Sequence, residues 1–368
     1  MTRGVAGSAT TLLSVFPSFR VGGAQMRFAA VANRFGARYR HLIVSLDGVD
    51  SARGRLAPGL EIAFPPPPGG RATFAALRRT LRALRPDVLI THNWGSMDWA
   101  IANLPGLVRH IHIEDGFGPE ERDRQFRRRV LTRSVVLRRS TVVLPSRTLL
   151  RIAADAWRLP SRRLRYVPNG VDLARFAAPL AAAIPGREPV VGTVAALRPE
   201  KALDRLLHAF HAASAAVPAR LVIVGDGPER PRLEHLAAAL GVAPRVHFTG
   251  HVADPAPLYA GFDVFALSSD TEQMPLSLVE AMAAGLAVAS TDVGDVRHML
   301  AAENARFVGP REPGALAEAL RALLAAPRLR AEIGAANRDK ARRDYDQERM
   351  FAAYAALFDG AERQARTE

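Results

Sequence analysis

The amino-acid sequence predicts an α/β protein with two domains, each built around a parallel sheet and its crossover helices. Strand-like apolar runs alternate with helical patterns from one end of the chain to the other. The chain has 368 residues, which exceeds the usual size of one domain, so two domains of about 180 residues each are expected. The Ala/Pro-rich stretch 177–189 has no periodicity and is interpreted as the linker between them.

The first half begins with a short strand and then alternates helices and strands. Four consecutive prolines from Pro65 hold an extended polyproline form, so the tract is interpreted as a rigid strand-to-helix connection, with a partner-docking site as the alternative. The predicted strands are 11–16, 41–46, 60–64, 87–91, 108–113 and 141–144, and the predicted helices are 23–35, 71–85, 119–139 and 146–155.

The second half repeats this alternation. Proline is favoured at the first position of a helix, so one helix should begin near Pro275, and Gly285 should close it. Buried strands at 262–269 and 285–291 flank this helix. The remaining predictions are a strand at 190–194, a helix at 203–216, strands at 221–224 and 307–308, and closing helices at 313–325, 327–343 and 347–364.

Composition narrows the classes of function. The absence of cysteine excludes disulfides and cysteine-based metal binding or catalysis. A net charge of +14 suits nucleic acid, anionic lipid or phosphate-bearing substrates, and arginine-rich composition of a high-GC genome is the alternative. No zinc-finger or RNA-recognition motif occurs, so nucleic acid is not an expected partner. The apolar run 11–16 is too short for a signal peptide or membrane span, which predicts a cytoplasmic protein, or one bound peripherally at the inner face of the cell membrane.

Glu272 and Glu280 bracket the predicted helix start at Pro275–Leu276. One acid lies in the loop and the other lies more than a turn into the helix, with the free N–H groups of the first turn between them. Such a helix start attracts anions, and open α/β sheets bind ligands at the carboxyl ends of strands. The arrangement suits a sugar nucleotide. A surface helix with two solvated glutamates is the alternative.

Residues from about 190 to 300 resemble the donor-binding half of a family 4 retaining glycosyltransferase (GT-B type, glycosyltransferase group 1). The matching segments, in order, are GTVAALRPEK at 192–201, VIVGDGPE at 222–229, VHFTGH at 246–251 and the Glu272/Glu280 segment. The resemblance implies two Rossmann-like domains facing across a cleft. It implies an acceptor-binding domain over 1–178, a donor-binding domain over 186–345 and a terminal helix over 346–368 that crosses back to the first domain.

The resemblance also assigns the charged residues of the donor site. Arg198 and Lys201 would neutralise the donor diphosphate, and fixed cations there stabilise the charge of the departing nucleotide. Glu272 would hold sugar hydroxyls and Glu280 the ribose hydroxyls. A salt-bridged surface side chain is the alternative for Lys201. The phosphates would meet the backbone N–H groups of Leu276, Ser277 and Leu278.

Two further loops belong to the implied donor site. Gly225 follows a strand in a Gly-Asp-Gly sequence that lacks the third glycine of a dinucleotide fingerprint, since Arg230 stands there. It is interpreted as a tight turn lining the nucleotide cleft. His251 and Val252 would present backbone groups to the base.

Three positions depart from the family pattern. Many relatives carry arginine at the position of Ala196, and the family usually has a glycine and an aromatic residue or proline where Gln273 and Met274 stand. These departures leave open which sugar is transferred and whether activity is altered.

In the first half, Gly22 and Gly23 open a helix after the first strand, where the resemblance implies a loop near the donor phosphates and the acceptor. His112 stands where relatives place a histidine beside the transferred sugar, and a purely structural histidine is the alternative. Glu114 and Asp115 are weaker candidates.

The function implied is a retaining, metal-independent transfer of a sugar from a nucleoside diphosphate to an acceptor hydroxyl. No cofactor is expected, and the donor is a UDP-sugar or GDP-sugar. The acceptor is a saccharide or lipid-linked sugar in bacterial cell-surface polysaccharide or glycolipid assembly. A non-catalytic sugar-nucleotide or glycan-binding subunit and a sugar-nucleotide epimerase are the alternatives.

The predicted helix 119–139 opens with acids and turns basic, which suits a helix dipole. An apolar stripe is expected to form from Phe126, Val130 and residues 135–137. Arginines 124, 127, 128 and 138 would then lie on or beside a polar face that attracts anionic lipid. An ordinary core helix with a solvated basic face is the alternative.

Overall fold

The computed structural model describes residues 9–69, 73–121, 124–176 and 188–361. The chain divides into two compact units: a first unit of Met1–Val167 with Met350–Glu368, and a second unit of Pro168–Arg349. Each unit contains one parallel sheet with connecting helices, which confirms the predicted α/β class.

The sheet of the first unit has seven strands in the order β3-β2-β1-β4-β5-β6-β7, all parallel. Helices cover its faces, so residues on both sides of the central strand β4 are buried, among them Val88, Leu89 and Ile90. Its strands are β1 (Thr10–Phe16), β2 (Tyr39–Ser45), β3 (Ile62–Ala63), β4 (Val88–His92), β5 (Arg109–Ile113), β6 (Thr141–Leu144) and β7 (Leu164–Tyr166). The helices between them are α1 (Gly23–Phe35), α2 (Phe74–Leu84), α3 (Met97–Ala102), α4 (Arg127–Val136) and α5 (Arg147–Asp155).

The sheet of the second unit has six parallel strands in the order β10-β9-β8-β11-β12-β13. The chain moves outward from β8 to β10 and then returns to add β11 on the other side of β8. The strands are β8 (Val190–Val194), β9 (Arg220–Val224), β10 (Val246–Gly250), β11 (Val264–Leu267), β12 (Ala287–Thr291) and β13 (Val308–Gly309). The helices are α6 (Leu203–Ser214), α7 (Arg230–Ala239), α8 (Ala256–Tyr259), α9 (Leu276–Ala283), α10 (Val296–Met299), α11 (Pro313–Ala325) and α12 (Pro327–Asp344), followed by α13 (Gln347–Asp359).

Helix α13 returns to the first unit, as predicted. Phe351, Tyr354 and Leu357 belong to the same apolar cluster as Leu12 of the first strand. The Tyr39 hydroxyl donates a hydrogen bond of 2.8 Å to Asp359 at the end of the helix. The helix ends at Asp359, short of the predicted 364, and residues 362–364 lie outside the described part of the chain.

Several predicted boundaries were wrong. The strand at 60–64 is reduced to Ile62–Ala63, and the short strand β7 was missed because its three residues carry no apolar run. The helix predicted over 119–139 is a 3-10 turn at Pro119–Glu121, then α4 from Arg127 and a 3-10 turn at 137–139, with residues 122–123 undescribed. Residues 177–187 of the predicted linker also lie outside the described residues.

Helix α9 begins at Leu276 after Pro275, as the sequence predicted. Gly285 follows its end with a φ of +78°, a left-handed conformation that glycine adopts without strain. Within the ranges that the structure describes, no helix has the length and apolar character needed to cross a membrane.

Candidate functional site

The candidate donor site of the second unit lies at the point where the strand order reverses. Strands β8 and β11 are neighbours in the sheet, although β9 and β10 separate them in sequence. Arg198 and Lys201 follow β8, and Glu272 follows β11. In open parallel sheets such a reversal leaves a crevice beyond the carboxyl ends of the two strands, and ligands bind there.

Lys201 and Glu272 meet in this crevice. The Nζ of Lys201 lies 2.5 Å from Oε1 of Glu272, and the Ser269 hydroxyl donates to the same oxygen at 2.8 Å. Ser268 donates to the carbonyl of Lys201 at 2.9 Å, which joins the two loops. These residues line one pocket together with Ser277 of α9. The pocket therefore contains a cation and a carboxylate whose positions are both held by neighbouring hydroxyl groups.

Arg198 points into solvent. Its side chain is 53% exposed and lies 4.0 Å from Glu200, so the structure does not bring it into the Lys201/Glu272 pocket. Sequence reasoning missed Arg205, on the first turn of α6. Arg205 pairs with Asp270 at 2.7 Å and donates to the carbonyl of Ser268 at 2.5 Å. It thereby holds the loop that carries Glu272.

The first turn of α9 faces this pocket through Ser277. The amides of Leu276 and Ser277 belong to the opening turn of a helix, where no carbonyl of the preceding turn is available. The amide of Leu278 instead donates to the carbonyl of Pro275 at 3.2 Å. Of the three amides predicted to face phosphate, Leu278 is therefore already engaged, because the helix opens with a tight 3-10-type bond.

Glu280 lies one turn further along α9 and is paired with a residue that the sequence did not reveal. The Tyr259 hydroxyl donates to Oε2 of Glu280 at 2.6 Å and lies 3.3 Å from the carbonyl of Ser277. Burial raises the pKa of Glu280, and the Tyr259 bond and the charge of Arg175 oppose that shift. The pKa of Tyr259 is also raised, by burial and by the adjacent carboxylate.

Gly225 allows two loops of the site to touch. Its φ is +135°, and a Cβ there would lie 1.9 Å from the carbonyl oxygen of Ala195. Its amide donates to the carbonyl of Gly250 at 3.0 Å. The loops after β8, β9 and β10 are thus held together by backbone contacts, as expected of a tight turn. His251 follows and is exposed, and Val252 is half-buried against the core.

The departures at Gln273 and Met274 have structural roles. Met274 is buried, and the Asn169 side chain donates to its carbonyl at 3.0 Å. The amide of Asp295 donates to the carbonyl of Gln273 at 3.1 Å. Both contacts hold the loop that carries Glu272. Ala196, the third departure, is exposed.

In the first unit, Gly22 and Gly23 follow β1, His112 is the fourth residue of β5, and Glu114 and Asp115 follow β5 directly. Gly22 precedes α1 in an extended conformation, and Gly23 is its first residue. A Cβ at Gly23 would meet nothing within 4 Å, so the helix start is open.

His112 lies in the interior of the first unit. Its ring is fully buried, and its Nδ1 is 2.8 Å from the Thr91 hydroxyl. Its Nε2 is 3.6 Å from Oε2 of Glu114 and has no hydrogen-bond partner among the described residues. The ring has no surface open to solvent in the free protein, and its place beside the transferred sugar stays a prediction.

Arg27 of α1 and Asp115 form a buried pair that sequence reasoning did not find. Two parallel hydrogen bonds of 2.6 and 2.8 Å join them, and Asn93 accepts from the Asp115 amide at 2.7 Å. Burial alone would raise the pKa of Asp115, but the Arg27 guanidinium holds it below its ordinary value. The helical periodicity of α1 could have predicted the burial of Arg27, because it places Arg27 on the apolar face of the helix.

Arg133 corrects the interpretation of helix α4. Its guanidinium is fully buried, lies 3.1 Å from Glu114 and stacks near the rings of Trp94 and Trp157 at about 5 Å. Val135 is 59% exposed, and Phe126 is also exposed. The predicted apolar stripe was therefore wrong at Phe126 and Val135, whereas Val130, Val136 and Leu137 pack in one apolar cluster. The same helix also buries Arg133, whose charge a buried acid and aromatic rings compensate.

The two parallel sheets and a crevice at the strand reversal define a two-domain Rossmann-like protein of the GT-B class. A solved glycosyltransferase from Rickettsia africae superposes with a TM-score of 0.79 at 14% identity, covering 96% of this chain and 98% of that one. Anabaena HepE in complex with UDP gives 0.78 at 19% identity over 95% and 100%. WaaG, a glycosyltransferase involved in lipopolysaccharide biosynthesis, gives 0.73 at 19% identity over 95% and 100%.

Two family models identify the chain itself. Glycosyltransferase Family 4 matches residues 21–175, and Glycosyl transferases group 1 matches residues 178–340. The chain belongs to this family of glycosyltransferases.

Curated relatives are similar over part of their length. A GDP-mannose-dependent alpha-mannosyltransferase of Mycobacterium tuberculosis is 38% identical over 38% of this chain and 36% of the relative. A GDP-mannose-dependent phosphatidylinositol monomannoside mannosyltransferase of Mycolicibacterium smegmatis is 34% identical over 55% and 57%. A 2-deoxystreptamine N-acetyl-D-glucosaminyltransferase of Streptomyces fradiae is 31% identical over 64% and 61%. The matches thus span between about a third and three fifths of these relatives.

Proposed function

We propose that this chain is a retaining, metal-independent glycosyltransferase that moves a sugar from a nucleoside-diphosphate sugar to an acceptor hydroxyl. The acceptor is a saccharide or lipid-linked sugar used in cell-surface polysaccharide or glycolipid assembly. The observation that carries the proposal is the Lys201–Glu272 pair at the strand reversal, beside the start of α9. A cation, a helix start and two carboxylates match a ligand with phosphates between two hydroxyl-bearing rings.

The diphosphate of the donor interacts with Lys201 and with the amides of Leu276 and Ser277. In the free protein Glu272 neutralises Lys201 at 2.5 Å. A bound diphosphate competes for Lys201 and leaves Glu272 to accept hydrogen bonds from sugar hydroxyls. Preorganised charges of this kind act most strongly when the nucleotide departs and its negative charge grows. Arg198 adds a solvent-exposed cation near this pocket.

Glu280 binds the ribose. Tyr259 occupies Oε2 of this carboxylate, so Oε1 is left to accept from ribose hydroxyls. The base lies along the loop of Gly225, His251 and Val252, where His251 is exposed and Val252 is half-buried. The relatives named as GDP-mannose-dependent make GDP-mannose the first donor to test.

Retention follows from displacement on one face of the sugar. The bond from the anomeric carbon to the phosphate oxygen breaks, the bond to the acceptor oxygen forms on the same face, and the acceptor proton passes to the departing phosphate. This route requires no nucleophilic side chain, and Glu272 is held by Lys201 and Ser269 as a hydroxyl binder.

The test uses the full-length protein with GDP-mannose, UDP-glucose and UDP-N-acetylglucosamine, each with and without saccharide and lipid-linked acceptors. Release of nucleoside diphosphate should require an acceptor, and NMR of the product should show the anomeric configuration of the donor. An inverted product contradicts retention. Donor binding with no turnover for any acceptor supports a binding subunit instead, and a 2-epimer of the donor supports an epimerase.

We also propose that an anionic membrane surface, at the inner face of the cell membrane, is a partner of helix α4. Leu131 and Val135 are exposed on this helix, as are Arg127 and Arg128. Each basic residue near such a surface contributes about 1 kcal/mol of binding. Vesicles containing anionic lipid should sediment the protein, less so with salt and in Arg127→Glu/Arg128→Glu. Equal sedimentation with neutral and anionic vesicles rejects this partner.

A further inference from the structure

The first unit contains a cavity of about 820 Å³ that lies outside the proposed donor site and shares only Val135 with the face of α4 proposed to meet a membrane. It lies at the amino ends of β5, β6 and β7, since the residues that line it include Arg109, Thr141 and Arg163 at or just before the start of each strand. Gly22 and Gly23 lie at the opposite, carboxyl edge of the same sheet. The cavity volume falls within the range of about 300–1,000 Å³ found for small-molecule sites.

Arginine is the most frequent residue type among the described residues that line the cavity. None of the described residues that line it is acidic. Its other walls are largely apolar, with Leu104 and Val135 among the most exposed large hydrophobic side chains of the first unit. The arginines are Arg109, Arg138, Arg139, Arg162, Arg163 and Arg165.

Part of this positive charge has an evident structural purpose. Arg109 donates to the carbonyls of Leu357 and Phe358 at the end of α13, and Arg165 donates to the carbonyls of Arg162 and Leu164. Helix ends gather at this edge of a parallel sheet, and arginine stabilises their carbonyls. Capping therefore explains these two residues without a ligand.

Capping does not explain Arg138, Arg139 and Arg162. Among the described residues, no carboxylate lies within ion-pair distance of Arg138, Arg139 or Arg162. All three side chains are exposed at the same cavity. Three guanidinium groups that line one concave site without acids repel one another, so an anion that bridges them is bound favourably. Phosphate oxygens fit the fork of a guanidinium in paired hydrogen bonds.

We propose that this cavity binds a phosphate-bearing ligand through Arg138, Arg139 and Arg162, at a site separate from glycosyl transfer. The phosphate lies among the three guanidinium groups, and the apolar part of the ligand lies against Leu104 and Val135. Two sources share this chemistry: a soluble phosphorylated compound, and the headgroup of an anionic lipid whose chains pass over the exposed apolar rim.

The test compares full-length proteins that all carry Lys201→Ala, so that the proposed donor phosphate site does not contribute. Pyrophosphate binding is measured by calorimetry for this parent, for Arg138→Gln/Arg139→Gln/Arg162→Gln, and for a control with the same charge loss. The control is Arg79→Gln/Arg82→Gln/Arg151→Gln, whose residues are exposed in the same unit and do not line the cavity. Sedimentation with phosphatidylglycerol and with phosphatidylcholine vesicles forms the second arm.

Pyrophosphate should bind the cavity variant about tenfold or more weakly than the parent, and the control variant less than about twofold more weakly. Each exposed charge-assisted hydrogen bond contributes little to the binding free energy, but the loss of three such bonds adds up. Loss of pyrophosphate binding with unchanged sedimentation on phosphatidylglycerol vesicles identifies a soluble ligand, and loss in both arms identifies a lipid headgroup. Loss only with phosphatidylglycerol vesicles identifies a lipid headgroup. Equal binding by the cavity variant and the control in both arms overturns the proposal. If the triple variant does not fold, the three single variants decide, each expected to weaken binding about threefold.

Discussion

The Nζ of Lys201 lies 2.5 Å from Oε1 of Glu272, although 71 positions separate the two residues in the chain. They meet because β8 and β11 are neighbours at the centre of the second sheet, and each residue lies in the loop that follows its strand. Each side chain is mostly buried. The pair therefore holds opposite charges in place in the free protein, where the proposed function puts the donor diphosphate.

Lys201→Ala should lower kcat by about 10²- to 10³-fold, because it removes one preorganised electrostatic contact with the departing nucleotide. The measurement is steady-state release of nucleoside diphosphate, with whichever donor of the panel proposed above supports turnover. Lys340→Ala is the matched control, a lysine of α12 in the same unit that donates to backbone carbonyls. Turnover of Lys201→Ala within threefold of the wild type contradicts the role.

Tyr259→Phe should raise the KM for the donor about fivefold and leave kcat unchanged. The lost hydroxyl orients Glu280 through a bond of 2.6 Å, and ribose binding contributes equally to the ground state and the transition state. Tyr345→Phe removes a hydroxyl from another buried tyrosine of the same unit and should leave KM unchanged. A fall in kcat at constant KM for Tyr259→Phe would argue against a binding role.

Gly225→Ala should destabilise the second unit by about 3 kcal/mol or more. The new Cβ would lie 1.9 Å from the Ala195 carbonyl oxygen, and φ at this position is +135°. Gly241→Ala is the control, since its φ is also positive but its Cβ meets nothing within 4 Å, and it should cost about 1 kcal/mol. Calorimetric unfolding of both variants measures the difference, and equal losses would exclude the contact as the cause.

The first unit should lose stability as the pH falls below about 6.5. Burial lowers the pKa of His92 and His110 to about 3 and that of His41 to about 4. Between these values and 6.5 the unfolded chain binds protons that the folded unit does not. The free energy of unfolding is thus unaffected by these histidines above pH 6.5. It decreases, by up to about 1.4 kcal/mol per histidine per pH unit, as the pH falls from 6.5 towards the folded pKa.

Hydrogen exchange of first-unit amides at about pH 7 and pH 5.5, corrected for intrinsic rates, measures this dependence. His92→Phe should reduce the slope of the free energy of unfolding against pH by up to one bound proton. The reason is that the His92 ring is fully buried against Phe16, with ring centroids 3.8 Å apart. An unchanged slope in His92→Phe would show that this histidine does not remain neutral in the folded unit.

The sequence by itself determined the α/β class, the alternation of elements and the start of α9. Pro275 and Gly285 mark the ends of that helix through their own backbone preferences, which depend on no distant residue. The placement of Glu272 in the loop and Glu280 in the helix follows from those two residues. The same local reasoning failed at 119–139, where helical periodicity was extended across a turn that ends at Glu121.

Only the tertiary structure decided which side chains meet. The pairs Lys201–Glu272, Tyr259–Glu280 and Arg27–Asp115 join residues from different elements, and their contact depends on strand order rather than on spacing in the chain. Periodicity reports which face of an element is apolar, and it gave no sign that Arg133 is buried. The desolvation cost of burying that arginine is offset by Glu114, Glu121 and the aromatic rings around it. These partners come from separate segments of the chain and are close to Arg133 only in the folded unit.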